Sequence, residues 1–152
     1  MNKVRSYIRS IVIPLVVGGV IGFITMLFMK MSNLNQPFFA PPGILFPIVW
    51  TILYTLMGIS YAILKTNNLT DSKIDFIYYF QLGVNALWSI FFFVLKWRLF
   101  AFLWVILLAV SVIVMIMEFY KKNKFSGLLQ IPYFLWILFA SYLNIAIYLL
   151  NR

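Results

Sequence analysis

Five stretches of mainly apolar residues, over about 8–31, 44–64, 74–95, 99–120 and 127–150, follow one another along the chain with short, basic loops between them. A hydrocarbon core about 30 Å thick takes roughly twenty helical residues to cross, so each stretch predicts a transmembrane helix. Lipid offers backbone N–H and C=O groups no water to bond, and a helix satisfies them within its own segment. The pattern therefore predicts an all-α, polytopic membrane protein, a single domain over 1–152 built as a bundle of five transmembrane helices. The first stretch is led by Lys3, Arg5 and Arg9 in the manner of a signal peptide. It far exceeds the about 7–15 apolar residues of such a leader, and four more stretches follow it. So little chain remains outside the bilayer that function falls to the helix interfaces and to the loop at 33–43.

In that loop Pro37, Pro41, Pro42 and Gly43 deny a regular helix, while Phe38 and Phe39 give it apolar weight. Two readings stay open: a lid folded back over the mouth of the bundle, or a plain connector with interfacial aromatics. By contrast Lys96-Trp97-Arg98 is a near-minimal link, which predicts that the third and fourth helices pack side by side. Pro14, Pro47 and Pro132 lie near the starts of their stretches, where a missing N–H is tolerated or a mild kink results. Eight Lys and Arg flank the N-terminus, second loop and fourth loop (Lys3, Arg5, Arg9, Lys65, Lys73, Lys121, Lys122, Lys124), against four on the other side (Lys30, Lys96, Arg98, Arg152). The excess predicts a cytoplasmic N-terminus in this multi-pass protein, and the membrane is expected to be a bacterial cell membrane.

Composition narrows the chemistry. With 64% hydrophobic and 10% charged residues, the chain lacks the polar surface to cover a water-soluble globule, and the lipid bilayer is its expected partner. A net charge of +9 would point to nucleic acid in a soluble protein; here the bases sit at helix ends, where anionic head groups and membrane orientation account for them, and no nucleic-acid partner is expected. The absence of cysteine excludes disulfides, thiolate nucleophiles and Cys-ligated metal. The absence of histidine removes the commonest proton shuttle and the usual axial haem ligand. Asp71, Asp75 and Glu118, the three acids, lie at helix ends or in the second loop, so no carboxylate pair, triad or metal cluster is expected in the interior. No cofactor is required on these grounds.

Polar and aromatic side chains inside the stretches are few enough to follow singly. Gln81 and Asn85 are four apart on the third helix, with Trp88 and Ser89 a turn further; Tyr133, Trp136, Ala140, Asn144 and Tyr148 run along the fifth; Trp50, Tyr54 and Tyr61 lie on neighbouring turns of the second, the last of them two turns beyond Tyr54. Converging, these faces would enclose an aromatic pocket with amide donors and acceptors. Equally, Asn85 and Asn144 can serve as hydrogen-bonding glue between helices, at roughly 0.6–2 kcal/mol each. Trp97 and Trp104 read as members of an interfacial aromatic belt. Gly18 and Gly22 make a close-approach face within one bundle or between two, and Gly83 with Ala86 a small patch suited to a homodimer. Leu143, Tyr148 and Arg152 fit the loose cholesterol-contact pattern, which simple interfacial anchoring also explains.

Three blocks of sequence, in order and spacing, resemble the TspO/MBR family, that of the tryptophan-rich sensory proteins and the mitochondrial translocator or peripheral benzodiazepine receptor. They are Pro37-Phe-Phe-Ala-Pro-Pro-Gly43 continuing through Phe46-Pro-Ile-Val-Trp-Thr-Ile-Leu-Tyr54, then Gln81 to Phe92, then Pro132 to Asn144. The resemblance implies a five-helix bundle, usually homodimeric, with a pocket near the first loop for porphyrins, sterols and benzodiazepine-type ligands. Trp50, Asn85, Trp88, Tyr133, Trp136, Ala140 and Asn144 would line it, Tyr54 adjoining, with Pro41 and Pro42 shaping the lid. Phe39 stands where the family commonly has Trp, so a covering ring is kept and an indole N–H lost. The expected function is a membrane receptor or sensor for porphyrin. Light-driven porphyrin degradation, with Trp50 and Trp136 as the catalytic residues, and transport of porphyrin or sterol are the alternatives. Without histidine a metal-free porphyrin is the easier guest.

Overall fold

A computed structural model of the chain describes residues 3–30, 37–38 and 45–151. Helix α1 spans Lys3–Lys30, α2 Leu45–Thr66, α3 Ser72–Ser89 with a π-helical continuation Ile90–Val94, α4 Arg98–Lys122, α5 the single turn Lys124–Leu128, and α6 Ile131–Asn151. No strand occurs among the described residues. Five segments are long and apolar enough to cross a membrane, α5 and α6 together making the fifth. The protein is an all-α, multi-pass membrane bundle.

The helices close into a ring in the order α1, α2, α5/α6, α4, α3. Their outward residues are as apolar as the core, among them Val12, Val16 and Phe23 on α1 and Leu103, Val110 and Met117 on α4. Lipid tails are no worse a solvent for such side chains than a neighbouring helix, so close packing and interhelical hydrogen bonds must hold the ring. Gly58 shows the first: a Cβ there would lie 2.5 Å from Ile11 Cα and 2.7 Å from the Ser10 carbonyl oxygen. Gly18 likewise receives the ring of Tyr54, so this part of the small-residue face works within the bundle, while Gly22 and Gly83 have open space at the Cβ position. Ser60 and Ser126 show the second, each hydroxyl donating to the other's backbone carbonyl at 2.7 Å and so tying α2 to α5.

Element ends follow local chemistry. Asp71 caps α3 by accepting from the Ile74 N–H at 2.8 Å, and that bond, with Lys122 beside it, holds its carboxyl below the usual carboxylate range. Past the π turn, Lys96 takes φ 59° and the Trp97 N–H donates to the Phe91 carbonyl at 2.8 Å, which reverses the chain and lays α4 along α3. Two ends differ from the pattern-based expectation. Helix α1 begins at Lys3, so Pro14 lies well inside it rather than near its start; having no N–H, it leaves the Ser10 carbonyl without its helical donor, and that oxygen lies against Gly58. The last span is broken at Leu129 and Gln130, because Pro132 cannot donate to the carbonyl four residues back and instead enters α6 near its first turn.

Candidate ligand-binding site

Two helices, α2 and α6, bring the aromatic residues together. The Trp50 ring on α2 stacks on Tyr54 at 5.5 Å and meets two α6 rings edge-on, Tyr133 at 6.2 Å and Trp136 at 6.4 Å. Phe46 meets Trp136 at 5.8 Å. Tyr54 and Tyr133 are buried, and Trp50 and Trp136 half-buried. These residues meet because turns of α2 and α6 face the same interior, at the spacing of successive helical turns.

Beneath the rings runs a line of amides on α3. The Asn85 Nδ2 donates to the Tyr133 hydroxyl at 2.7 Å, and that hydroxyl donates to Gln81 Oε1 at 2.8 Å. The Gln81 Nε2 in turn donates to the Tyr78 carbonyl at 2.8 Å. A turn further along, the Trp88 indole donates to Asn144 Oδ1 at 2.9 Å, and Asn144 Nδ2 donates to the Arg98 carbonyl at 2.8 Å. Asn144 thus spends both polar atoms joining α6 to α3 and α4. Asn85 Oδ1 and Trp136 Nε1 are buried and have no hydrogen-bond partner among the described residues. An unpaired buried polar atom costs about 1–3 kcal/mol, so each is a place where a ligand atom would be stabilised.

Of the residues expected from sequence, Trp50, Tyr54, Asn85, Tyr133 and Trp136 adjoin in one cluster. Trp88 and Asn144 form a linked pair at its flank, and Ala140 is buried on the face between Trp136 and Asn144. Phe39, Pro41 and Pro42 lie outside the described residues, as does most of the loop. Tyr61 is elsewhere: its hydroxyl donates to Asp75 at 2.5 Å, towards the far end of α2. Trp104 is more than a belt residue, since its indole donates to the Val84 carbonyl at 2.8 Å and ties α4 to α3. Leu143 is buried while Tyr148 is only half so, so the residues of the cholesterol-contact pattern do not share one lipid-facing surface; Arg152 lies outside the described residues.

Sequence reasoning missed Phe46 and Tyr142. Phe46 stands in the second-helix block, one turn before Trp50, and its spacing would have revealed it. Tyr142 donates to the Phe38 carbonyl at 2.6 Å and so ties the loop to α6; a bond to a backbone atom more than a hundred residues away leaves no mark in sequence. The cluster offers flat aromatic faces, one free acceptor and one free donor, all on uncharged side chains. Among the described residues no group of three or more His, Cys, Asp or Glu gathers that could hold a metal ion.

A model of the TspO/MBR family matches residues 10–150. The chain is 46% identical over 121 residues to the tryptophan-rich protein TspO of Archaeoglobus fulgidus, covering 79% of this chain and 78% of that protein. It is 35% identical over 124 residues to protein CrtK of Rhodobacter capsulatus (79% and 77%) and 34% identical over 121 residues to a tryptophan-rich sensory protein of Cereibacter sphaeroides (79% and 75%).

Proposed function

This chain belongs to the TspO/MBR family, and from that premise we propose that it is a membrane sensor or receptor binding a flat hydrophobic tetrapyrrole between α2, α3 and α6. One observation carries the reading: Trp50, Tyr54, Tyr133 and Trp136 form an uncharged aromatic cluster in which Asn85 Oδ1 and Trp136 Nε1 stay unpaired among the described residues. A porphyrin ring offers faces that stack on indole and phenol. Its peripheral carboxylate oxygens suit the Trp136 donor, and the Asn85 acceptor can meet a donor on the guest's edge or approach its inner N–H groups from one ring face. Trp88, Ala140 and Asn144 hold the α3–α6 wall in place; Phe39, Pro41 and Pro42 are given the part of covering the guest by the family resemblance, and Tyr142 ties the neighbouring Phe38 to α6. The protein sits in a cell membrane with its N-terminus in the cytoplasm, as a homodimer; the open surface at Gly83 supports a close helix approach there.

Titrating tryptophan fluorescence of the purified protein with protoporphyrin, haem and a sterol tests this. Protoporphyrin is expected to bind, and Asn85→Ala and Trp136→Ala each to weaken it about tenfold, the equivalent of about 1.4 kcal/mol. Unchanged affinity in both variants would remove the site. The same Trp50–Trp136 pair favours a second reading, light-driven porphyrin degradation, because a ring stacked on either indole has an oxidisable neighbour. That reading requires a protein-dependent loss of protoporphyrin absorbance in light alone, slowed by Trp50→Phe and Trp136→Phe. Binding in the dark without such loss leaves the receptor reading alone.

A further inference from the structure

At the end of the bundle remote from Trp50, a cavity of about 250 Å³ opens between α1, α2 and α3. Arg5 and Arg9 line it from α1 with Ser6 and Ser10, Tyr61 and Lys65 from α2, and Tyr79 from α3. Both α1 pairs are four residues apart and so share a face. Ser6 and Ser10 are only 8% and 5% exposed, which places their hydroxyls in the wall rather than in bulk solvent.

What distinguishes this opening is three cations that no acid pairs, the one carboxylate at its wall, Asp75, being held by the hydroxyl of the lining residue Tyr61. Each acid of the chain is engaged by another group: Asp71 with Lys122 at 3.1 Å, Glu118 with Lys73 at 3.2 Å and Lys121 at 3.3 Å, and Asp75 with the Tyr61 hydroxyl at 2.5 Å. No Asp or Glu among the described residues forms an ion pair with Arg5, Arg9 or Lys65. Lys65 lies instead 5.7 Å from the Tyr61 ring centre. Three cations gathered at one mouth repel one another unless an anion lies between them.

We propose that this cavity binds a phosphate-bearing anion, and that the head group of an anionic phospholipid in the same leaflet is the source its position favours. Arginine presents a rigid fork of donors matched to phosphate, and the serine and tyrosine hydroxyls add neutral donors. The cavity opens where α1 and α3 begin and α2 ends, the depth at which lipid phosphates lie, and basic pockets between helices at that depth hold anionic head groups. At about 250 Å³ it falls below the roughly 300–1,000 Å³ of pockets for drug-sized ligands, and it shares no lining residue with the aromatic cluster.

Native mass spectrometry of the protein released from nanodiscs of mixed phosphatidylcholine and phosphatidylglycerol reads the site directly. One phosphatidylglycerol per chain is expected to be retained in preference to phosphatidylcholine. Arg9→Gln and Lys65→Gln are each expected to lower its retention about fivefold, the size expected for one basic residue near an anionic membrane surface. Lys124→Gln, which removes an exposed charge outside the cavity, is expected to leave it unchanged. Arg9→Lys, keeping the charge, restores part of the retention. Displacement by millimolar inorganic phosphate would support the site with the free anion as ligand; resistance to it would support the lipid. Equal retention of both lipids, or a Lys124→Gln loss as large as that of Arg9→Gln, overturns the proposal in favour of diffuse surface attraction.

Discussion

Tyr133 is the hinge of the polar interior, since one hydroxyl accepts from Asn85 and donates to Gln81, joining α6 to α3 through both. Removing that oxygen leaves Asn85 Nδ2 without its acceptor and Gln81 Oε1 without its donor in a place water does not readily reach. Tyr133→Phe is therefore expected to destabilise the protein by about 1–3 kcal/mol, read as a lower midpoint of thermal unfolding in detergent. An unchanged midpoint would mean the network relaxes onto other partners. The sequence made Asn85 and Asn144 visible as buried amides and left open whether they glue helices or meet a ligand. The structure separates them by what each oxygen and nitrogen bonds: Asn144 is fully engaged, whereas Asn85 keeps one oxygen in reserve. Residue type and spacing cannot carry that distinction, because it depends on rotamers set by neighbours on other helices.

Among the elements, α1 shows how a helix can be legible in extent yet not in contact. Its apolar stretch was plain, but its start at Lys3 was masked by charges that read as a flank, and the inward face made by Ser6 and Ser10 is what carries the helix that far. Where α1 crosses α2, the Ser10 carbonyl and the Ile11 Cα leave no room for a side chain at residue 58. Gly58→Ala is expected to cost about 1–3 kcal/mol by forcing the two backbones apart. Gly19→Ala, made on an exposed turn of α1 where nothing lies within 4 Å of the added Cβ, is expected to leave the unfolding midpoint unchanged or raised, as alanine is the better helix former. Equal effects at both positions would show that helix propensity, not close approach, governs them. The break between α5 and α6 was invisible as a break for the opposite reason: hydropathy runs straight through it, and only the missing donor at Pro132 interrupts the helix.

At the scale of the whole molecule, the three acids lie at one end of the bundle with their lysine and tyrosine partners, and most of the basic residues share that end. Lysine and arginine are retained on the cytoplasmic side during insertion, so this end is expected to face the cytoplasm. A chain without cysteine allows a clean test by single substitutions. In intact cells a membrane-impermeant maleimide is expected to label Trp97→Cys, and to reach Ser72→Cys only after permeabilisation; the reverse order would turn the protein over. The ring order of the helices also follows from short links where these exist, as between α3 and α4, but the closure of α5 and α6 on α2 does not.

The amino-acid sequence by itself determined the number of spans, the helical class, the uncharged aromatic character of the interior and the family, because length, hydropathy and motif order are properties of neighbouring residues along the chain. Only the tertiary structure decided which amide atoms are spent on helix contacts and which remain, that Tyr142 reaches the loop, and that Arg5, Arg9 and Lys65 meet around one cavity. Those outcomes depend on groups far apart in the chain approaching within a few ångströms, and in a bundle apolar on both its faces the hydrophobic pattern does not say which sides of the helices meet.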